Sequence, residues 1–354
     1  RNPMKIKISQ WEGFRNLKPR RLEWEEGLHL LLGPNGSGKT NILEVFHIMT
    51  GWGSLRGERV LDLKRWEGTE RGTFLSGEFC GEEELILRAG IYNRILMKKG
   101  NDPIRASQLR PLVPSLIFVP GDLSLVEGSP ATRRRLLDRL CALLYPLYAF
   151  RLHEYDKALK QRNASLKAGK NQAATAKVMA PLAAWIWACR LAATDLVGNG
   201  LERAYPFLPR GIKVELKRGG LGLEDLLEDF WESLKVSRSR EAATFSCPVG
   251  PHRDDLIITC GGKEASRCFS RGYRRRIAVA LLLSSGWAVE KKTGRKPLLF
   301  LDEVMAELDH EGRSGLIGVL LGTGWQVFAT SAEACTPDWP GSIWQVEDGT
   351  ISRS

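Results

Sequence analysis

Eight consecutive residues, Gly33-Pro34-Asn35-Gly36-Ser37-Gly38-Lys39-Thr40, have the types and the spacing to hold a polyphosphate. Glycines at this density let successive backbone N–H groups turn inward toward the β- and γ-phosphates of a nucleotide, and a helix starting here adds the positive end of its dipole. Lys39 neutralises phosphate charge in such a loop, and Thr40 offers a hydroxyl to Mg²⁺. A chance glycine-rich turn would lack the right flanks. Here the apolar strand Leu28-His29-Leu30-Leu31-Leu32 leads in, and beyond Asn41 the positions Ile42, Leu43, Val45, Phe46 and Ile48 continue as a helix.

Two further groups could serve the same chemistry. The run Leu298-Leu299-Phe300-Leu301 is a buried-type strand that delivers Asp302-Glu303 to the mouth of a sheet. Asp302 suits the surroundings of Mg²⁺, and Glu303 suits the base that orients or deprotonates water. An acidic pair at a strand end is also what a solvated terminus looks like, so its meaning depends on the phosphate loop. The third group is Phe269-Ser270-Arg271-Gly272-Tyr273, where Ser270 stands at an N-cap position before a helix carrying Ile277, Ala280, Leu281 and Leu283. Arg271, Arg274, Arg275 and Arg276 crowd that helix end and oppose its dipole, which implies an anion there unless the side chains splay into solvent.

These residues need elements to position them. Residues 4 to about 120 read as strands and short turns: Lys5–Ile8, Phe74–Cys80 and Glu84–Arg88 alternate, and Leu116–Val119 is a buried run. Arg1-Asn2-Pro3, ahead of Met4, is left out of this reading. From Ser129 the pattern turns helical, with Ser129 as cap, Pro130 at the first position and Leu136, Leu140, Leu143 and Leu147 on one face. A basic helix follows over His153–Lys170, broken near Gly169, and another is expected to start near Pro181. After about Thr244 strands return, ending in a hairpin over Ile343–Ile351 with an Asp-Gly turn. The expected organisation is an α/β P-loop head, residues 1–128 and 237–354, with a helical lobe inserted at 129–236.

Composition narrows the class. The 354 residues carry 52 Lys+Arg against 41 Asp+Glu, a formal +11 that favours polyanionic partners without proving any. No apolar run approaches the ~20 residues of a membrane span, so the expectation is a soluble, cytoplasmic protein with no membrane partner. Cysteines at 80, 141, 189, 247, 260, 268 and 335 show no Cys-x-x-Cys spacing and read as reduced thiols.

The segments together resemble the ATP-binding-cassette head, and more closely the RecF family of bacterial recombination mediators, over nearly the whole chain. Besides the loop at 33–40, the resemblance rests on Gly13-Phe14-Arg15-Asn16-Leu17, Pro120-Gly121-Asp122-Leu123-Ser124, Lys160-Gln161-Arg162-Asn163, Gly250-Pro251-His252-Arg253-Asp254-Asp255-Leu256, Ser270-Arg271-Gly272 and Asp302 to Asp309. It implies ATP and Mg²⁺ as cofactors and a weak ATPase that dimerises head-to-tail. Ser270 and Gly272 of one copy would close over the γ-phosphate held by Lys39 of the other. It further implies Asp309 as a contact across that interface, Thr330 or Ser331 as the switch after the last core strand, and Arg15 and Asn16 as nucleotide neighbours. Duplex DNA and single-strand gap junctions, and a RecR-type mediator protein, would be the partners. Tyr273 departs from the family's usual Gln, and no metal-sensing Gln is found around Leu116–Pro120.

Three basic clusters could meet DNA phosphates: Lys18, Arg20 and Arg21; Lys157, Lys160, Arg162, Lys167 and Lys170; and Lys291, Lys292, Arg295 and Lys296. A solvated helix or loop face accounts for each equally well. Arg134 and Asp138, four apart, are expected to pair, and His252, with no second His or Cys nearby, to be a structural hydrogen-bonder. Competing readings are the head of a structural-maintenance-of-chromosomes (SMC) or Rad50-like protein and a transporter's nucleotide-binding subunit. The first needs long heptad runs that 129–236 lacks; the basic charge speaks against the second.

Overall fold

The computed structural model describes residues 3–55, 57, 59–64, 72–205, 207–332 and 339–354. In chain order the first half holds β1 (Lys5–Glu12), β2 (Arg20–Glu23), β3 (Leu28–Leu32), α1 (Lys39–Met49), β4 (Thr73–Cys80), β5 (Glu84–Ile91), β6 (Ile95–Lys99), β7 (Asp102–Pro103), α2 (Ala106–Leu112) and β8 (Ser115–Phe118). The helical stretch is α3 (Pro130–Leu144), α4 (Tyr148–Lys167), α5 (Ala173–Leu201), β9 (Ile212–Lys217), α6 (Leu226–Val236) and α7 (Arg238–Thr244). The chain closes with β10 (Asp255–Cys260), β11 (Lys263–Glu264), α8 (Ala265–Cys268), α9 (Arg271–Thr293), β12 (Leu298–Leu301), α10 (His310–Thr323), β13 (Val327–Ser331), β14 (Ser342–Glu347) and β15 (Thr350–Arg353).

Two six-stranded sheets face one another across α1. One is antiparallel, in the order β2-β1-β4-β5-β6-β7; the other runs β15-β14-β3-β13-β12-β8 and is parallel except for β15. Strand alternation sorts the side chains of β3: Leu31 joins Ile42, Phe46, Phe300 and Phe328 under the antiparallel sheet, while Leu30 and Leu32 face the helices on the other side. α1 is therefore apolar around most of its girth, and α9 is buried from Ile277 to Val289. Asp348 and Gly349, both at positive φ, make the tight turn of the β14–β15 hairpin, as the sequence implies.

Several expectations are corrected. α5 begins at Ala173 and carries Pro181 inside it, because the turns before the proline bury Ala176, Met179 and Ala180 in the core. That burial offsets the roughly 3 kcal/mol that an interior proline costs. Leu147 lies past the end of α3 and is exposed, while Leu137 and Cys141 join Leu140 and Leu143 inside. Ser129 precedes Pro130 as expected but makes no side-chain cap bond. The stretch 129–236 is not wholly helical: β9 lies within it and pairs with β10, so one small sheet ties the inserted lobe to the following segment.

Candidate phosphate-binding and catalytic site

Parallel topology assembles the site. β3, β13 and β12 are neighbours in register, with Ser331 opposite Leu32 and Leu301 opposite Ala329, so their carboxyl ends bring the 33–40 loop, Thr330–Ser331 and Asp302–Glu303 to one edge. Gly36 and Gly38 have φ of 81° and 113°, which L side chains rarely adopt, and a Cβ on Gly38 would lie 2.8 Å from Leu17 Cδ2. Asn16 braces the loop: its Nδ2 donates to Gly36 O at 2.9 Å, and Asn41 Nδ2 donates to its Oδ1 at 2.6 Å. Pro34, Asn35 and Gly36 form the exposed rim, while Ser37, Gly38 and Lys39 are buried.

Every polar group here is either turned onto its neighbours or left without one. The Lys39 ammonium donates to Gly33 O at 2.7 Å and Pro34 O at 3.0 Å, and lies 3.3 Å from Glu303 Oε1. Ser37 Oγ is buried with no partner. Thr40 Oγ1 and Thr330 Oγ1 each donate to Asp302 Oδ1 at 2.8 Å. Burial pushes the Asp302 carboxyl above its usual range, with Glu303 adding to the shift and the two threonine hydroxyls opposing it. Glu303 sits at φ 54°, an unfavourable conformation for a residue with a side chain; its N–H donates to Thr330 Oγ1 and its Oε2 accepts from Ala332 N. Thr330 thus bonds both the Asp302 carboxylate and the Glu303 backbone, while Ala332 and Lys39 hold the Glu303 carboxylate.

These residues fit Mg²⁺ and a nucleotide. An orphan hydroxyl, a cation resting on carbonyls and a hydroxyl–carboxylate pair of hard oxygens are what a loop built for phosphate and metal presents without them. Thr40 and Asp302 are the oxygens that would hold the metal.

At the other candidate, Ser270 caps α9 with its Oγ accepting from Tyr273 N at 3.4 Å. Two of the crowding arginines find their anions within the chain, which corrects part of the expectation. Arg275 binds the carbonyl and the carboxylate of Glu307; Arg276 binds Asp309 at 2.8 Å and Glu311 at 3.2 Å, beneath the Tyr273 ring. Arg274 keeps a buried Nε with no partner, and the Arg271 side chain is exposed. A methyl group at Gly272 would meet nothing nearer than Ser270 Oγ at 4.0 Å. Glycine is less favourable than alanine by up to roughly 1 kcal/mol in a helix, so nothing among the described residues asks for it in this first turn. Among the described residues, no hydrogen bond or ion pair joins 270–274 to the 33–40 loop.

A DNA replication and repair protein RecF from Heliobacterium modesticaldum is 33% identical over 377 aligned positions, covering 99% of this chain and 100% of the relative. The chain belongs to the RecF family. Another RecF, from Desulfitobacterium hafniense, is 31% identical over 370 positions and 99% of this chain, covering 100% of the relative. The fold agrees: a solved RecF–ATPγS structure of the RecFOR pathway superposes with a TM-score of 0.88 at 26% identity, over 99% of this chain and 98% of that one. The Smc head of Pyrococcus furiosus reaches 0.56 at 17% identity over 99% of this chain and 96% of that one, a likeness of fold alone. No family-level sequence model matches.

For this RecF-family chain the remaining expectations divide. Arg15, expected beside the nucleotide, is buried and donates through Nε and Nη2 to Glu44 of α1. Asp309 caps α10 through Gly312 N, and its hydrogen bond from Arg276 holds the carboxyl below the usual range. Arg162 leaves the DNA cluster: it is 5% exposed and makes a two-point pair with Glu241 at 2.7 Å. At 100° per residue Lys157, Lys160 and Lys167 share one exposed face of α4 and Arg162 lies opposite, a separation the helical period already contains. Lys170 is exposed just beyond the helix. The last basic cluster has local uses, since Arg295 donates to Pro111 O, Lys296 to Thr323 O, and Lys292 lies over Tyr145. Arg134 donates to Asp254 O rather than pairing with Asp138, which Arg190 and Tyr148 occupy. His252 bonds Tyr155 OH and Cys247 O, the structural role expected of it. The Ala332 N–H on Glu303 had no sequence signal, because any residue supplies it.

Proposed function

We propose that this chain is an ATP-dependent, DNA-binding recombination mediator acting in DNA repair and replication restart at single-strand gaps, and that two copies close head-to-tail around two ATP molecules. Slow hydrolysis opens the pair. The observation that carries the reading is the unfinished site: Lys39, Thr40, Asp302 and Glu303 stand ready on one face, while on another Ser270 only caps its own helix, Gly272 faces open space and Arg274 Nε has no partner among the described residues. A glycine that its own protomer does not require is explained by close approach of a second molecule. Mg²⁺ at Thr40 and Asp302 would supply charge neutralisation of the phosphates. Glu303, fixed by Thr330 and Ala332, would take a proton from water, and Asp309 would reach across the interface while still held by Arg276. Relatives named as replication and repair proteins, together with RecF structures solved with ATP and ATPγS, support the assignment. Duplex DNA with gap junctions, and a RecR-type mediator protein, are the partners proposed.

Sedimentation velocity with and without ATP tests this. Ser270→Arg should bind ATP normally yet stay monomeric with it, whereas the unaltered chain dimerises. An ATP dimer of unchanged strength in that variant would refute the shared site.

A further inference from the structure

We propose that a groove on the inserted lobe, between the α4–α5 turn and α6–α7, binds single-stranded DNA, with Trp231 and Phe245 stacking on bases and Lys170, Lys235 and Arg238 meeting phosphates. The proposal rests on the DNA-binding reading above, which already includes the unpaired strand of a gap, and assigns the surface that would hold that strand. The groove is open and encloses about 770 Å³. Its floor is neutral, because Arg162 and Glu241 satisfy each other there. Its rim is cationic and drawn from three segments, with Lys170 and Arg238 lacking any acidic partner among the described residues and Lys235 paired only with exposed Glu232.

The aromatic groups are the second observation. The core takes Phe230 and Leu234 of α6 but leaves Trp231 40% exposed over the groove. Phe245, which ends α7, is 51% exposed and held at φ 51°, where glycine or asparagine would be easier. A strained backbone that turns a large ring toward water is what a built contact costs. Two rings flanked by cations match an unpaired strand, whose bases offer π-faces and whose phosphates recur along its length. A duplex hides those faces. Lys157, Lys160 and Lys167 are exposed on α4, the helix that leads to Lys170 at the groove rim, and add to the positive potential on that side.

The full-length chain is titrated, by anisotropy, against a labelled thymidine oligomer of about 16 nucleotides and against a blunt duplex with ATP. Replacing both rings, as Trp231→Ala with Phe245→Gly, should weaken oligomer binding by about 10-fold or more while leaving duplex binding unchanged. Glycine suits the Phe245 backbone, so that single variant keeps the fold. The charge variant Lys170→Glu with Arg238→Glu should lower the salt slope for the oligomer by about 1.4. Unchanged oligomer binding in the ring variant overturns the proposal. If the parent chain binds duplex and ignores the oligomer, the groove is refuted and the wider reading stands; if it ignores both, both fall. If it takes an acidic, phenylalanine-bearing peptide and ignores the oligomer, the groove serves a protein partner and the proposal is wrong.

Discussion

The phosphate loop and the seam where the inserted lobe meets the 250–256 segment are both dense in buried polar groups, and they treat them in opposite ways. Around Asp254 every valence is answered inside the chain: Oδ1 accepts from Trp187 Nε1 at 2.9 Å and Gly219 N at 2.7 Å, Oδ2 from Arg190 at 2.6 Å, and the carbonyl from Arg134. Arg190 also reaches Asp138, Tyr148 and Pro251 O, and Arg133 grips Asp255 with two bonds. At the loop, Ser37 has no partner, Lys39 rests on carbonyls, and Glu303 occupies a strained backbone. A satisfied buried network holds elements together; one left open is waiting for a ligand. The Gly-Pro-His-Arg-Asp-Asp-Leu segment is therefore distinctive for structural reasons, and the glycine-rich loop for chemical ones.

The comparison can be broken most directly at Arg190. Arg190→Met leaves Asp254 without its cation in a dry interior and half-buried Asp138 without its own, and should destabilise the protein by about 3–5 kcal/mol in urea titrations. A loss under about 1 kcal/mol would mean the network is not the strut described here.

The next effect depends on pH. Burial pushes the His252 imidazole down to about 4. A histidine depressed in the fold favours unfolding once protonated, so its contribution is whole above about pH 6.5 and lost as pH falls toward about 4, roughly 3 kcal/mol in all. Urea midpoints of the parent and His252→Asn should converge across that window; parallel curves would show that His252 is not held neutral.

At the open site the expected changes are in binding. Lys39→Ala should weaken ATP binding by about 100-fold or more in equilibrium dialysis, through lost charge-assisted contacts, while melting stays within a few degrees of the parent. The smallest effect sharpens the contrast most. Gly272→Ala should raise stability by about 0.5–1 kcal/mol, because only helix propensity acts within the protomer, yet weaken the ATP-induced dimer seen in sedimentation. A variant that dimerises as well as the parent would show that no second molecule approaches Gly272.

How much was legible follows from the range of each interaction. The loop at 33–40, the strand before it, the Ser270 cap and the Asp-Gly hairpin all depend on dihedral preference and side-chain period within a few residues, and these appear where the sequence implies them. Glu303 beside Lys39 is different, since 264 positions separate them and only the parallel order of β3, β13 and β12 brings them together. The choice of Thr330 as the residue that bonds Asp302 was likewise a matter of register. Arg162 looked like one more cation in a basic run until Glu241, 79 residues on, took it inside. The same holds for Arg275 and Arg276, whose partners lie on the loop after β12. By itself the sequence determined where a loop shaped for phosphate stands, because glycine conformations and helix ends are local facts. Which charges remain free to act was decided by the tertiary structure, because a charge is spent or spared only by the neighbour that folding delivers.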